Sequence, residues 1–270
     1  MLDDLKYLFA YTVPLATLFS IFSDGIMTFI TPIYTFVFIP LLEIILKDKD
    51  FNSNYSEKQI ENKLTNKIFD YLLYGNIPLV FIILFSGIYI LSNNSLMMYE
   101  IIGITLSLGI LLATNAINVA HELGHRKSIF ERTLSKLLLI PCLYMHFYLE
   151  HNFGHHKNVA TPEDPATSKH NQTVYSFWIT SVFNQYLNAW NIQKDILDRS
   201  NKGFLSISND MIWYHLIQFG YLFLVYSFFG LHGLIYAIIC GIISFLFLET
   251  INYIEHYGLV RKKLPTGRYE

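Results

Sequence analysis

Apolar residues run in long blocks along this chain, and polar residues are confined to the gaps between them. A helix crossing a hydrocarbon layer of about 30 Å needs about 20 mostly apolar residues. Six blocks meet that length, at 5–23, 26–46, 71–91, 99–120, 211–229 and 231–252. The links at 24–25 and 230 are so short that blocks one and two form a hairpin, as do five and six, while the polar loop SNNSLMM joins three to four. Placing the N-terminus inside puts 24–25, 92–98 and 230 outside, and 47–70, 121–210 and 253–270 inside. All 19 Lys and Arg then lie on the inside, the segregation that the positive-inside rule asks for. The pattern predicts an all-α polytopic membrane protein with six transmembrane helices, both termini cytoplasmic and one domain over 1–270.

Other stretches need separate readings. Residues 137–149 (LLLIPCLYMHFYL) are apolar, but only 13 long with Pro141 in the middle. That length favours a re-entrant or buried helix, and a crossing there would put His121 and His151 on opposite faces. In 174–197, Val174, Phe177, Trp178, Val182, Tyr186 and Trp190 recur at helical spacing among polar residues, as in an interfacial amphipathic helix. Lys alternates with Asp and Glu in 47–70, the mark of a solvated cytoplasmic face. The N-terminal MLDDLKYLF has Asp3 and Asp4 where a cleavable signal would be basic, so the first block is read as a retained helix.

Composition agrees with a membrane protein: 53% of the 270 residues are hydrophobic, 15% are charged, and the mean hydropathy is +0.35. A net charge of −2 leaves no basic excess for nucleic acid. Cys142 and Cys240 stand alone in apolar surroundings and read as small buried hydrophobes. No GxGxxG or Walker motif occurs, so electrons for any redox chemistry must come from another protein.

The ten histidines change the picture, because six fall in three clusters beside apolar segments: HELGHRK at 121–127, EHNFGHHK at 150–157 and NYIEHYGLVR at 252–261. His121 and His125 share one helix face. HELGH also matches the HExxH of zinc peptidases, with Glu122 as general base, but that reading leaves the other clusters without a purpose. His151, His155 and His156 add three imidazoles within six residues. Glu249, Asn252 and His256 form one stripe at the end of the last segment, where Glu249 or Asn252 would orient a ligand imidazole through its second nitrogen. Glu122, Glu249, Asn252 and Glu255 are the neighbours expected to support the ligands. His146 (paired with Glu150), His170, His215 and His232 are read as structural. Six histidines exceed the four ligands of a zinc site, which points to two ions. Imidazole suits Fe, Cu, Ni and Zn alike, and iron is the choice for attack on unactivated C–H bonds with O₂.

At these residues the chain resembles the integral-membrane alkane monooxygenases of the membrane fatty acid desaturase/hydroxylase superfamily. HELGHRK resembles the first histidine box, EHNFGHHKNVATPEDPA at 150–166 the second, and NYIEHYGLVRKKLPTGRYE at 252–270 the NYxEHYGL signature and its continuation. PLLE at 40–43 is also similar. The resemblance implies a six-helix scaffold in a bacterial inner (plasma) membrane and a non-haem diiron centre on its cytoplasmic side. It implies iron ligands His121, His125, His151, His155, His156 and His256, and oxygen insertion at the terminal methyl of a medium-chain alkane taken from the bilayer. Electrons are expected from rubredoxin and its reductase. Aromatic residues Phe19, Phe22, Phe29, Tyr34, Phe36 and Phe38 are expected to line an apolar channel. The family has a further box of the LQRHxxHH kind after GRYE, which this sequence does not reach, so the expectation is a C-terminally truncated member with an incompletely ligated iron. A fatty-acid desaturase, a xylene-type hydroxylase, an intramembrane zinc peptidase and a non-catalytic membrane fragment are the alternatives.

Overall fold

A computed structural model describes residues 2–46 and 66–270, and regular structure among them is helical apart from one isolated bridge between Lys263 and Tyr269. Most of the 47–70 loop expected as a solvated face lies outside the described residues. Helix α1 is a 3₁₀ stretch Leu2–Tyr11 running into Thr12–Ile21. Four helices among the described residues are long and apolar enough to cross a membrane: α2 (Gly25–Leu46), α3 (Ile68–Asn93), α4 (Met98–Gly124) and, later in the chain, α8 (Asp210–Glu255). Between them come α5 (Ile129–Leu139), α6 (147–158) and α7 (Val174–Arg199).

A straight helix of 46 residues would be about 69 Å long, more than twice a hydrocarbon layer. Gly230 breaks α8 with φ 68° and ψ −166°, a conformation that costs a residue with a Cβ dearly. Tyr221, before Gly230, packs on Phe85 of α3, and Gly233, after it, packs against Ile88 and Ser92 of the same helix, so the two halves fold back as the sequence expects of the 230 link.

Helix α4 is the axis of the fold. Its most apolar window is 72% buried, against 6% for α2, so α2 keeps its apolar surface for lipid. Small residues let neighbours approach α4 closely. A Cβ on Gly103 would stand 2.4 Å from Thr28 Oγ1 on α2, and one on Gly109 would stand 2.3 Å from Ile243 Cγ2 on α8. Leu108, Leu111 and Leu112 pack with Ile83, Leu84 and Ile88 of α3 in the core.

Glu100 fixes which turns share an end of the bundle. Its Oε1 accepts from the Gly25 N–H at 2.6 Å and its Oε2 from the Met97 N–H at 2.8 Å. The 24–25 and 92–98 turns are thereby tied together, and His121 and His125 lie about 32–38 Å of helix away at the other end of α4.

The apolar stretch 137–149 does not form one spanning helix. Helix α5 stops at Leu139, and a turn with Leu143 at φ 54° leads into α6. Pro141 O and Leu143 Cγ press on Gly241 of α8, each 3.1 Å from where its Cβ would be. The turn dips into the bundle, and Ser135 Oγ, donating to Ala120 O at 2.6 Å, straps α5 to α4.

Helix α7 is amphipathic in an inverted sense. Phe177, Ser181, Gln185, Ala189, Gln193 and Leu197 are its buried residues, while Tyr175, Ile179, Phe183 and Leu187 form an exposed stripe. An apolar stripe facing outward fits a helix lying along lipid.

Gly109→Ala should lower the thermal midpoint of the purified protein, because the new methyl meets the Ile243 side chain; overpacking of this kind costs about 1–3 kcal/mol. Adding Ile243→Ala should cost less than the sum of the two single changes, read as a double-mutant cycle in one detergent.

Candidate metal centre

The three histidine clusters come together at the end of α4 remote from Glu100. His121 sits in the last turn of α4 and His125 caps it. His151, His155 and His156 lie on α6, and His256 caps α8. In an ordinary α-helix residue i+5 lies about 140° around the axis from residue i. Residues 151–155 instead form a π turn, whose i→i+5 bonding brings position i+5 back over position i. His156 thus stands over His151, with ring centroids 4.4 Å apart.

One ligand atom from each of His121, His125, His151 and His156 lies within 4.8 Å of the other three. Nε2 of His125 is 3.0 Å from that of His121, 3.2 Å from that of His151 and 3.3 Å from that of His156. One nitrogen carries at most one proton, so hydrogen bonding alone leaves lone pairs facing each other. A cation among them resolves the conflict. Imidazole–metal bonds of about 2.1 Å put neighbouring donors about 3.0 Å apart at right angles and about 3.4 Å apart in a tetrahedron, which brackets the observed spacings. The residues present therefore fit a metal ion.

His155 and His256 stand beside this quartet rather than in it. Their rings are 5.0 Å apart, and His155 stacks on His151 at 5.4 Å. His155 Nδ1 meets Asp164 Oδ2 at 3.0 Å, leaving Nε2 free to serve as a ligand. Asp164 is itself held by the Thr167 hydroxyl at 2.5 Å and the Ala166 N–H at 3.2 Å. His256 is brought here because its segment is laced to the loop after α6. Ser168 Oγ donates to Tyr253 O, Gly258 N–H to Ser168 O, and Arg261 N–H to Ala160 O.

Electrostatics favour neutral, ligand-competent rings in most positions. Burial, then the charges of His121, His155, His156 and His125, push His151 down to about 2. Burial and then His125 and His155 lower His156, and burial leads the lowering of His256, against Asp164 and Glu255. His155 differs: burial presses it down, but the hydrogen bond and charge of Asp164, with Glu150 and Glu249 beyond, outweigh burial and raise it.

The residues expected to support the ligands are placed differently from one another. Glu249 is wholly buried, and its carboxylate accepts from Tyr144 Oη, Ser181 Oγ and Gln185 Nε2, with Asn252 Nδ2 at 3.4 Å. No imidazole is among these partners, so the orienting bond expected of Glu249 or Asn252 is made by Asp164 instead. Glu122 pairs with Arg126 at 2.8 Å, and Glu255 is exposed beside His256. Glu150, expected to pair with His146, accepts from Asn188 Nδ2 at 3.1 Å. His215 is bonded to Tyr186 and Met211 O, while His170 and His232 are exposed. Asp164 was within reach of sequence reasoning, since it lies in the TPEDPA run beside the second cluster, but nothing in spacing singles it out.

A cavity of about 790 Å³ lies against the last turns of α4, lined by Tyr7, Tyr11, Phe69, Asn115, Asn118 and Glu122 among others, with none of the six clustered histidines in its wall. The aromatic residues expected to line a channel are not in its wall. Phe19, Phe22, Phe36 and Phe38 are exposed, Tyr34 stacks on Phe38, and Phe29 packs against Gly103. Segments one and two present those rings outward, as lipid-facing helices do.

Asp164→Asn should weaken metal binding about 10–100-fold, as loss of a histidine-orienting carboxylate does, measured by competition with a chelator. Glu150 is pushed up from 4.5 to about 7, chiefly by burial. Its folded form holds a proton that the unfolded chain has released, so its contribution is full below 4.5 and is lost as pH rises through about 7. Between these limits Glu150→Gln should make metal-free stability fall less with rising pH than it does in the wild type, measured by thermal unfolding of both proteins across that window.

Comparison with known proteins agrees with this geometry. The fatty acid desaturase family model matches residues 99–270, a span that contains all three clusters. Alkane 1-monooxygenase 1 of Alcanivorax borkumensis is 35% identical over 232 residues, covering 86% of this chain and 57% of the relative. An alkane 1-monooxygenase of Pseudomonas putida shows the same identity and coverage. The hydroxylase component of the Pseudomonas putida xylene/toluene monooxygenase is 28% identical over 267 residues, covering 96% of this chain and 69% of the relative. The chain thus spans less than two thirds of the length of its alkane monooxygenase relatives. The family match and the converging histidines lead to one conclusion: the chain belongs to the fatty acid desaturase family.

Proposed function

We propose that this chain forms the membrane and metal-binding part of a non-haem diiron alkane 1-monooxygenase that hydroxylates the terminal methyl of a medium-chain alkane. The observation that carries the reading is the arrangement of six histidines, with four converging on one point and His155 and His256 directly beside it. That arrangement suits two ions, one per group. Iron, when bound, would carry electrons to O₂ and so activate it for attack on a C–H bond.

The rest of the chemistry falls to side chains. His121, His125, His151 and His156 would hold one iron, and His155 and His256 would contribute to the second. Asp164 keeps the His155 proton on Nδ1, so Nε2 stays a lone-pair donor. The cavity beside Asn118 and Glu122 offers an apolar chamber for the alkane against the last turns of α4. One atom of O₂ enters the product, and two electrons and two protons reduce the other to water. Those electrons must be delivered by a partner, for which rubredoxin with its reductase is the proposed source.

The same reading assigns six crossings: α1, α2, α3, α4 and the two halves of α8. It places the histidines on the cytoplasmic side of a bacterial inner membrane with both termini there, on the strength of the Lys and Arg distribution and the Glu100 tie between the opposite turns. The likeness to a xylene/toluene monooxygenase component over 96% of the chain favours an alkyl-aromatic substrate as the second reading. The zinc peptidase reading is weakened by His151 and His156, which join HELGH in the quartet where a peptidase keeps a position open for water.

Anaerobic loading with Fe(II) should give two irons per chain, and His125→Ala should abolish the quartet's share. Supplied with rubredoxin, its reductase, isotopically labelled O₂ and octane, the iron-loaded full-length protein should yield labelled terminal octanol. Zinc without iron in the purified protein would overturn the reading, and oxidation of xylene but not octane would move it to the second.

A further inference from the structure

A second large cavity also has none of the six clustered histidines in its wall. It is a groove of about 760 Å³ between α7 and the C-terminal half of α8, closed at one end by the re-entrant turn after α5. Its walls include Tyr144, Trp178, Val182, Phe183, Tyr186 and Phe245, and no Lys, Arg, Asp or Glu lines it. It borders the exposed stripe of α7, where Tyr175, Ile179 and Phe183 are 61–75% exposed. A groove beside such a stripe opens to lipid.

One polar residue stands in this apolar wall. His146 is 92% buried and lines the groove; its Nε2 is fully enclosed without a hydrogen-bond partner, whereas its Nδ1, also without a side-chain hydrogen bond among the described residues, is not enclosed and is the nitrogen a ligand can reach. Burial, and then the charge of His215, hold it down at about 3, so the ring is neutral. A neutral imidazole has one donor and one acceptor to satisfy, and burying it unpaired is costly. Tyr186 donates its proton to His215 Nε2 at 2.9 Å, since His215 Nδ1 donates to Met211 O, and although its oxygen can still accept, no hydrogen bond joins it to His146, whose ring centroid is 5.4 Å away.

We infer that this groove binds a linear primary alcohol, with the alkyl chain along the aromatic wall and the hydroxyl on Nδ1 of His146. A hydroxyl both donates and accepts, so it matches either tautomer. A carboxylate is disfavoured, since nothing cationic lines the site, and a plain alkane leaves the ring unpaired. The groove then serves as a holding and exit site for the alcohol, distinct from the chamber beside Glu122. The choice of an alcohol as the physiological occupant rests on the hydroxylase reading above.

Trp178 in the wall makes the inference measurable without metal or turnover. The purified metal-free protein in lipid nanodiscs is titrated with terminally brominated dodecanol and, separately, with bromododecane, and tryptophan quenching is followed. The alcohol should quench saturably, binding about five- to tenfold more tightly than the bromoalkane, and Trp178→Phe should remove the saturable part. His146→Phe should erase the preference for the alcohol while leaving bromoalkane binding unchanged. Val182→Phe, which fills the groove without touching the imidazole, should weaken both probes. Equal binding of the two probes to the wild type overturns the inference, because water or an aromatic ring face then satisfies His146. An alcohol preference that survives His146→Phe also overturns it. An iron-loaded enzyme that makes no alcohol would remove the hydroxylase reading and leave the binding result standing.

Discussion

Three carboxyl groups buried behind the histidines, Glu150, Glu249 and Asp164, set the terms for the elements around them. A buried carboxyl group must be protonated or supplied with donors. Glu249 draws them from Tyr144, Ser181, Gln185 and Asn252, Glu150 from Asn188, and Asp164 from Thr167, Ala166 and His155. Three of those donors sit on one side of α7. That demand explains why α7 turns its polar side inward and leaves Tyr175, Ile179, Phe183 and Leu187 outside. In water such an inversion would be unstable. Against lipid it satisfies both faces.

The same acids organise the metal centre through close packing. Gly154 lies under the Glu150–Asn188 bond: a Cβ there would fall 2.8 Å from Glu150 Oε1 and 2.9 Å from Asn188 Nδ2. Only a residue without a side chain lets the π turn of α6 sit so near α7. The π turn in turn gathers His151 and His156 onto one side while His155 faces Asp164. His121, His125 and His256 all occupy C-terminal helix ends, where unpaired carbonyls carry partial negative charge. A cation there is favoured by the backbone as well as by its ligands.

Two chambers with different chemistry flank this arrangement. One touches α4 at Asn118 and Glu122. The other is nearly all apolar apart from a single unpaired imidazole. The hydroxylase proposed above, which would turn an apolar molecule into an amphiphile, has a use for both. Substrate and product differ by one hydroxyl, and discrimination between them needs one polar group in the right wall.

Much of this was legible in the sequence, because the signals involved are local. Block length and the one-residue link at Gly230 foretold the break in α8, since no helix of that length suits a bilayer. Pro141 and the short run around it foretold the re-entrant turn. Histidine spacing foretold a metal site, because His121 and His125 share a helix face in any fold that keeps the helix. What the sequence did not show depends on contacts between distant segments. Spacing rules assume an α-helix, so they miss a π turn that brings position i+5 onto the same side. Three of the four partners of Glu249 lie on the turn after α5 and on α7, so they cannot be read from its own helix, which supplies only Asn252. Nor does spacing show that Asp164 rather than Glu249 holds an imidazole, or that Phe19, Phe22, Phe36 and Phe38 face outward while Tyr7, Tyr11 and Phe69 line the chamber. Apolar pattern and residue type determined which segments are helices and which side chains can bind metal; packing alone decided which of them meet, because burial forces each polar group to find its partner wherever the fold supplies one.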